Sequence, residues 1–395
     1  MLVAKTDHNR LVSLASGFTE AELRRLQKTG DFYCPACNES VMLRVGIKRC
    51  SHFAHRKKEC TVDQEGESDY HVTGKLQLFR WLKTHTSAQL EHYLPQLQQR
   101  PDLFVEVGKT AYALEFQCAS LSTEAFVQRT NGYKSQGYYP FWVMGAKRLK
   151  RLGASLFRLS PQEWQYLTIS EQSPTLYYFS PFTNELIKLE HIIPFSSQIA
   201  FAELKIFTPN SHTFSEWLTL HTSPSYHEGW IQKKRNFRTT YMLYPGLQHK
   251  HFLEKLYTLQ IPPTHFPSEA GFPIPSAFML ETPAVIWQAW LLLDIMHVKK
   301  VGEIVNLKQI YMQFSARVRQ KLIKVRSVPF MHSTIEKPLL EYVEVLCKLG
   351  LLSPVTHDSY RIERGYTVPL LSSDAFLEDG LLMKKWLDQA KEVTR

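Results

Sequence analysis

The chain has 395 residues, 44% of them hydrophobic and 21% charged, a balance that excludes a disordered tail and leaves room for two or three folded domains. Its formal net charge of +10 and pI near 9.1 favour a polyanionic partner over an acidic or neutral one. The first residues, Met1-Leu-Val-Ala-Lys5, carry no apolar leader, and the longest apolar stretch, Ala284 to Ile295, is broken by Gln288 and Asp294, so a cytoplasmic location without a membrane span is expected.

Residues 1 to 14 alternate apolar and polar around Asp7-His8-Asn9-Arg10, which predicts a β-hairpin. Thr19 then stands where a helix N-cap belongs, with Ala21, Leu23 and Leu26 following at helical spacing and Gly30 as the stop. Directly after it the cysteines cluster: four of the six lie between Cys34 and Cys60. In a reducing compartment such a cluster reads as metal ligands rather than disulfides. Cys34-Pro-Ala-Cys37, fourteen further residues and His52-Phe-Ala-His55 supply two close pairs of thiolate and imidazole donors. Zinc takes four of these in a tetrahedron, so Cys34, Cys37, His52 and His55 are the expected ligands of a structural zinc, with Cys50 or Cys60 as replacements for a histidine. Residues 1–62 thus form the first expected unit.

From Ser68 the residues Tyr70, Val72, Leu76, Phe79 and Leu82 predict a helix to about Thr84. Strands follow at about 89–94, 103–107 and 111–117, the last two joined at Gly108-Lys109, then a helix over 123–136 and a strand over 140–144. This α-β-β-β-α-β order predicts an α/β domain with a central mixed sheet over residues 63–168. Within it Glu115 and Gln117 share one face of a strand, and Asp102, with twelve residues between it and Glu115, starts the neighbouring strand. Two carboxylates placed this way suit Mg²⁺ or Mn²⁺, which bind oxygen ligands and leave positions for water and a scissile phosphate. Glu67, His71 and Lys75 follow at four-residue steps and put a third acid and two basic groups on one helical face toward the same pocket.

Beyond about residue 170 the sequence predicts long amphipathic helices broken by prolines, near 213–220, 249–259, 284–298, 303–325 and 337–349, so residues 169–395 are expected to be mainly helical. The helix at 337–349 and a possible hairpin through Asp358-Ser359 resemble a winged-helix element near 337–365. The run Lys233-Lys-Arg-Asn-Phe-Arg238 offers Lys233, Lys234, Arg235 and Arg238 as DNA contacts beside one aromatic.

Phe32-Tyr-Cys-Pro-Ala-Cys37, His52-Phe-Ala-His55, Glu67 with His71 and Lys75, Arg100-Pro-Asp102, Glu115-Phe-Gln-Cys-Ala-Ser120 and Arg129-Thr-Asn-Gly-Tyr133 together resemble the CoiA-like competence protein family. The resemblance implies a role in natural transformation, in which incoming single-stranded DNA is recombined into the chromosome. It also implies a central fold of the PD-(D/E)xK nuclease, or restriction-endonuclease-like, type. Asp102 then matches the motif aspartate, Glu115 the second acid and Glu67 the acid of the first helix. Gln117 stands where that family has lysine and would orient water without bringing positive charge. His71, Lys75, Arg129 and Tyr133 would face DNA. Two functions follow as expectations: a Mg²⁺- or Mn²⁺-dependent DNase acting on single-stranded or branched DNA, or a non-catalytic mediator that helps a recombinase load on single strands.

Overall fold

A computed structural model describes residues 1–46, 50–56, 60, 68–170, 173–219, 225–242, 249–326, 328 and 335–392. The N-terminal unit is a five-stranded antiparallel sheet of β1 (Val3–Thr6), β2 (Leu11–Ser13), β3 (Phe32–Tyr33), β4 (Ser40–Arg44) and β5 (His52–His55), in the order β2-β1-β3-β4-β5. Helix α1 (Glu20–Thr29) begins at Thr19, whose hydroxyl accepts from the Glu22 amide while the Glu22 carboxylate accepts from the Thr19 amide, so two otherwise unpaired donors are satisfied reciprocally. Met1, Ala4, Phe32, Val41, Leu43 and Phe53 form its small core.

The central sheet contains ten strands. It is built from β6 (Ser87–Leu90), β7 (Leu103–Val107), β8 (Thr110–Gln117), β9 (Tyr139–Gly145), β10 (Lys150–Arg151), β11 (Leu156–Arg158), β12 (Thr168–Ser170), β13 (Ser173–Ser180), β14 (Glu185–Pro194) and β15 (Ile199–Phe207). The order is β10-β11-β15-β14-β13-β9-β8-β7-β6, with β12 on β13. β9 runs parallel to both β8 and β13, and every other pairing is antiparallel, so the sheet is mixed as expected. Helix α2 (Asp69–Lys83), capped by the Ser68 hydroxyl, packs on β6, β7 and β8, and α3 (Thr123–Ser135), capped by Ser122, makes the crossover that two parallel strands require between β8 and β9.

The sheet does not stop at residue 168. The expectation of a helical region from 169 is corrected by β13, β14 and β15, which add three long strands to it. Prolines suggested breaks, but Pro174 sits in β13 near its start, Pro181 in the turn and Pro194 at the end of β14, positions where the missing N–H costs little. The aromatic run Tyr177-Tyr178-Phe179 and the Thr183-Asn184 turn were the strand signals available.

Short helices α4 (Pro161–Gln165) and α5 (Phe214–Leu218) border the sheet. The C-terminal half then contains α6 (His227–Asn236), α7 (Lys250–Thr258), α8 (Ala284–Leu291), α9 (Leu307–Arg319), α10 (Glu336–Lys348) and α11 (Ser372–Glu392). α8 is buried on all sides, including Trp287, Gln288 and Trp290, and is the centre of this half's core. Strands β16 (Ile304–Asn306), β17 (Leu352–Thr356) and β18 (Ser359–Ile362) make a small sheet in the order β16-β18-β17. The helix and hairpin expected near 337–365 are therefore present. α10 buries Leu339, Tyr342, Val343, Val345 and Leu346, and its exposed positions, Glu336, Lys337, Leu340 and Glu344, carry charges of both signs.

The basic run at 233–238 is corrected as well. Lys234 and Arg238 are only 2% and 1% exposed, and both pair with Asp379 of α11, at 2.8 Å from each cation. Arg238 also donates to the carbonyls of Thr264 and Phe266, and Arg235 lies over the Phe376 ring. These contacts tie α6 and the turn after it to α11, and they leave the buried Lys234 and Arg238 without surface to offer a partner, while Arg235 is half-buried. Lys233 lines a cavity of about 710 Å³ with Lys321 and Lys324. Removing one partner of a buried ion pair leaves an uncompensated charge, so Asp379→Ala is expected to destabilise the C-terminal half by about 3–5 kcal/mol. A urea or thermal unfolding midpoint equal to wild type would show the network to be dispensable.

Candidate functional site

Two sites take shape from these elements. In the N-terminal sheet the turn after β3 carries Cys34 and Cys37: the Asn38 amide donates to the Cys34 carbonyl at 3.0 Å, the Cys34 amide to the Glu39 carbonyl at 2.9 Å, and Asn38 takes the left-handed conformation at φ 61° that closes the turn. His55, at the end of β5, brings Nε2 to 3.4 Å from the Cys37 sulfur. The ligand atoms of Cys34, Cys37, His55 and Cys60 all lie within 4.8 Å of one another, and among the described residues this is the group of metal-ligating side chains that draws together. Three sulfurs and one imidazole at such separations suit the tetrahedral shell of zinc, so this cluster could hold it. Burial pushes the Cys37 thiol up to about 12, countered by the Glu39 backbone and reinforced by the neighbouring Cys34.

His52 is not part of this group. On a strand, residues three apart project from opposite faces, so His52 and His55 of β5 cannot converge, and His52 instead places Nδ1 at 3.0 Å from the Cys50 carbonyl. Cys60 takes its place. The sulfur of Cys50 contacts the Thr73 hydroxyl of α2 at 3.3 Å, away from the cluster.

In the central sheet Asp102 immediately precedes β7 and Glu115 lies on β8, with Leu103 opposite Leu114, so the two acids are brought side by side as their spacing implied. Both carboxylates are enclosed. Asp102 accepts from the Phe116 amide at 2.9 Å, meets His71 Nε2 at 3.1 Å and has Lys75 Nζ at 3.4 Å. Burial alone would raise its pKa, but His71, Lys75 and the amide hold it well below the usual carboxylate range. Glu115 accepts from the Tyr133 hydroxyl and, at 3.3 Å, from Arg129, both on α3. Its burial pushes it up to about 7; Arg129 and Tyr133 oppose that rise and the charge of Asp102 adds to it. The two acids therefore feel one another.

Several expected DNA contacts prove to be internal supports. Lys75 is 1% exposed and donates to Glu91 at 2.6 Å. Tyr133 is fully buried against Glu115. His71 and Arg129 keep part of their surface open beside the acids. Gln117 is buried on the same face as Glu115, and its amide donates to the Ala119 carbonyl at 3.0 Å. Glu67 lies outside the described residues. Glu91 was not anticipated: it is buried in a left-handed conformation at φ 49°, and its second oxygen accepts from the amides of Leu2 and Val3 at 2.7 and 3.1 Å. One carboxylate thus joins the first strand of the N-terminal unit to Lys75 and, through it, to Asp102. Nothing local distinguishes Glu91 from a solvated acid, because its partners come from α2 and from the chain's first residues.

Residues 15–63 match the N-terminal domain, 67–222 the nuclease-like domain and 225–375 the C-terminal domain of the family described as Competence protein CoiA. The chain belongs to the CoiA family. It is 28% identical over 344 residues to the Competence protein CoiA of Bacillus subtilis, covering 86% of this chain and 92% of that relative. No solved structure matches it. The nuclease-like span of the CoiA family ends at 222, beyond the last strand of the ten-stranded sheet, so the family boundary encloses the whole sheet where the expected boundary at 168 does not. Among the described residues, no helix of this CoiA protein is long and apolar enough to cross a membrane.

Proposed function

We propose that this CoiA protein is a divalent-metal-dependent DNase that processes DNA during recombination of transforming strands, with Asp102 and Glu115 as its metal-binding acids. The observation that carries this reading is the pair itself: the buried carboxylate of Glu115 on β8 and the largely enclosed one of Asp102 at the start of β7, close enough for the charge of Asp102 to raise the pKa of Glu115. Like charges in a dry site need a cation or a proton between them, and hard oxygen donors with room for water suit Mg²⁺ or Mn²⁺. When bound, such an ion supplies Lewis acidity toward a scissile phosphate and a water of lowered pKa.

The protein's own groups do the rest. Lys75 on α2 brings to Asp102 the positive charge that Gln117 lacks, while Tyr133 and Arg129 orient Glu115. His71 orients Asp102 from the partly open side and, with Arg129, can meet a phosphate oxygen. A second reading is favoured by one observation: Gln117 turns its amide to its own backbone, which suits a DNA-binding mediator that keeps the nuclease fold and helps a recombinase load. Incubation with labelled single-stranded, duplex and branched DNA in Mg²⁺ or Mn²⁺ separates the two. Cleavage supports the DNase; binding without cleavage under all these conditions supports the mediator.

The pH dependence has a definite sign. Glu115 must lose its proton to hold a cation, and its pKa stands near 7, so divalent-metal affinity should rise as pH increases through about 7 and flatten above it. In the metal-free protein the same raised value means that stability falls as pH rises from the ordinary carboxylate range through about 7. Calorimetric Mn²⁺ titrations in buffers of different ionisation heat should register proton release below pH 7. An affinity flat across that range would remove Glu115 from the metal site.

A further inference from the structure

The hairpin between β13 and β14 turns at Pro181-Phe182-Thr183-Asn184, and Phe182 at its tip is 74% exposed. A single exposed phenylalanine is ordinary. This one is held in place: Gln77 of α2 donates to the Pro181 carbonyl at 3.2 Å, the Tyr70 hydroxyl donates to the Phe179 carbonyl at 3.3 Å, and the Thr183 hydroxyl donates to the Ser180 side chain at 2.8 Å. Its ring meets Tyr70 edge to face at 5.2 Å, and the exposed ammonium of Lys147 stands 4.5 Å from the Tyr70 ring and 4.6 Å from the Phe182 ring. Two aromatic rings and one cation share a small patch of surface on fixed backbone.

The register places this patch beside the acids. Phe179 of β13 is opposite Gly145 of β9, and Met144 is opposite Gln117 of β8, so the hairpin tip projects at the edge of the sheet where β8 ends. Tyr70 also stacks at 6.1 Å on Phe116, whose amide holds Asp102, and is followed in the chain by His71, which bonds the same carboxylate. We infer that Phe182, Tyr70 and Lys147 form a stacking platform for an unpaired base of single-stranded DNA, which guides the strand toward Asp102 and Glu115. Any base offers a π-face to an aromatic ring, and the neighbouring phosphate meets the ammonium. Paired bases inside a duplex hide those faces, so the platform selects single strands. The inference rests on the DNA reading above and specifies its substrate class.

The test measures binding, not cleavage: fluorescence anisotropy of the full chain with a labelled single-stranded oligonucleotide and its duplex, without added divalent ions. Phe182→Ala should weaken single-strand affinity by about five- to a hundredfold, with Phe182→Trp restoring it and the duplex little changed. Lys147→Ala should flatten the salt dependence of single-strand binding by less than one ion released. Unchanged single-strand binding in Phe182→Ala, or an equal loss on duplex, overturns the platform and leaves the DNA reading standing; that outcome would direct the exposed ring to a protein partner instead. Failure of the wild-type protein to bind either DNA overturns both. Cleavage, present or absent, bears on neither result.

Discussion

Cys60→Ser should strip zinc from the protein and unfold its N-terminal unit, whereas His52→Ala should leave one zinc per chain in place. The contrast follows from the ligand atoms of Cys34, Cys37, His55 and Cys60 drawing within 4.8 Å while His52 turns to the Cys50 carbonyl. Structural zinc contributes on the order of 10 kcal/mol to small modules of this kind, more than the short strands and few core residues around Phe32 and Phe53 can replace. Elemental analysis of freshly purified protein reads the metal, and limited proteolysis of residues 1–56 reads the fold. Wild-type protein free of zinc, or His52→Ala losing the ion while Cys60→Ser keeps it, would falsify the assignment. The effect should travel further than the module. Leu2 and Val3 donate to Glu91, and Glu91 holds Lys75 against Asp102, so loss of the first strand should also loosen the candidate active site.

What the sequence made legible was local. The N-cap at Thr19, the helix start at Ser68 and the α-β-β-β-α-β order to Gly145 depend on neighbours a few residues apart, and each element lies within a few residues of where its pattern put it. The alternation along β8 likewise set Glu115 and Gln117 on one face, and the strand pairing brought Asp102 to them. Besides the strands read as helix beyond residue 169, the failures at the candidate sites were of two physical kinds. A spacing of three means one face on a helix but opposite faces on a strand, so the His52 and His55 pair could not be judged before β5 was known. Charge could not be sorted into surface and interior, because the partner that buries it is distant: Arg238 meets Asp379 across 141 positions, and Lys75 meets Glu91 across sixteen. A basic run reads as a DNA contact until its carboxylate is found.

Asp102→Asn and Glu115→Gln should each reduce DNA cleavage by at least about a hundredfold while the protein stays folded and still binds DNA. Both are neutral replacements of the same shape, chosen because each keeps one acceptor oxygen for its closest donor, while the amide nitrogen that replaces the other oxygen no longer accepts from Lys75 or Arg129. In Asp102→Asn the side-chain oxygen can still accept from the Phe116 amide, and Lys75 keeps Glu91 at 2.6 Å, so no buried cation is left bare. In Glu115→Gln the side-chain oxygen can still accept from Tyr133, and Arg129 retains its open edge to solvent. What each variant loses is the negative charge that a divalent ion requires, so metal affinity should fall with activity, and the rise in affinity through pH 7 should vanish in Glu115→Gln alone. Single-turnover cleavage of labelled DNA with Mg²⁺ and with Mn²⁺, alongside circular dichroism and thermal melting, separates lost chemistry from lost fold. If both variants cut at the wild-type rate, the paired acids are structural, and the chemistry must be sought elsewhere in the chain. If instead the wild type and both variants bind DNA alike and none of them cuts, the pair serves the fold of a mediator, and the contacts of His71 and Lys75 with Asp102 and of Arg129 with Glu115 are what offset its charge.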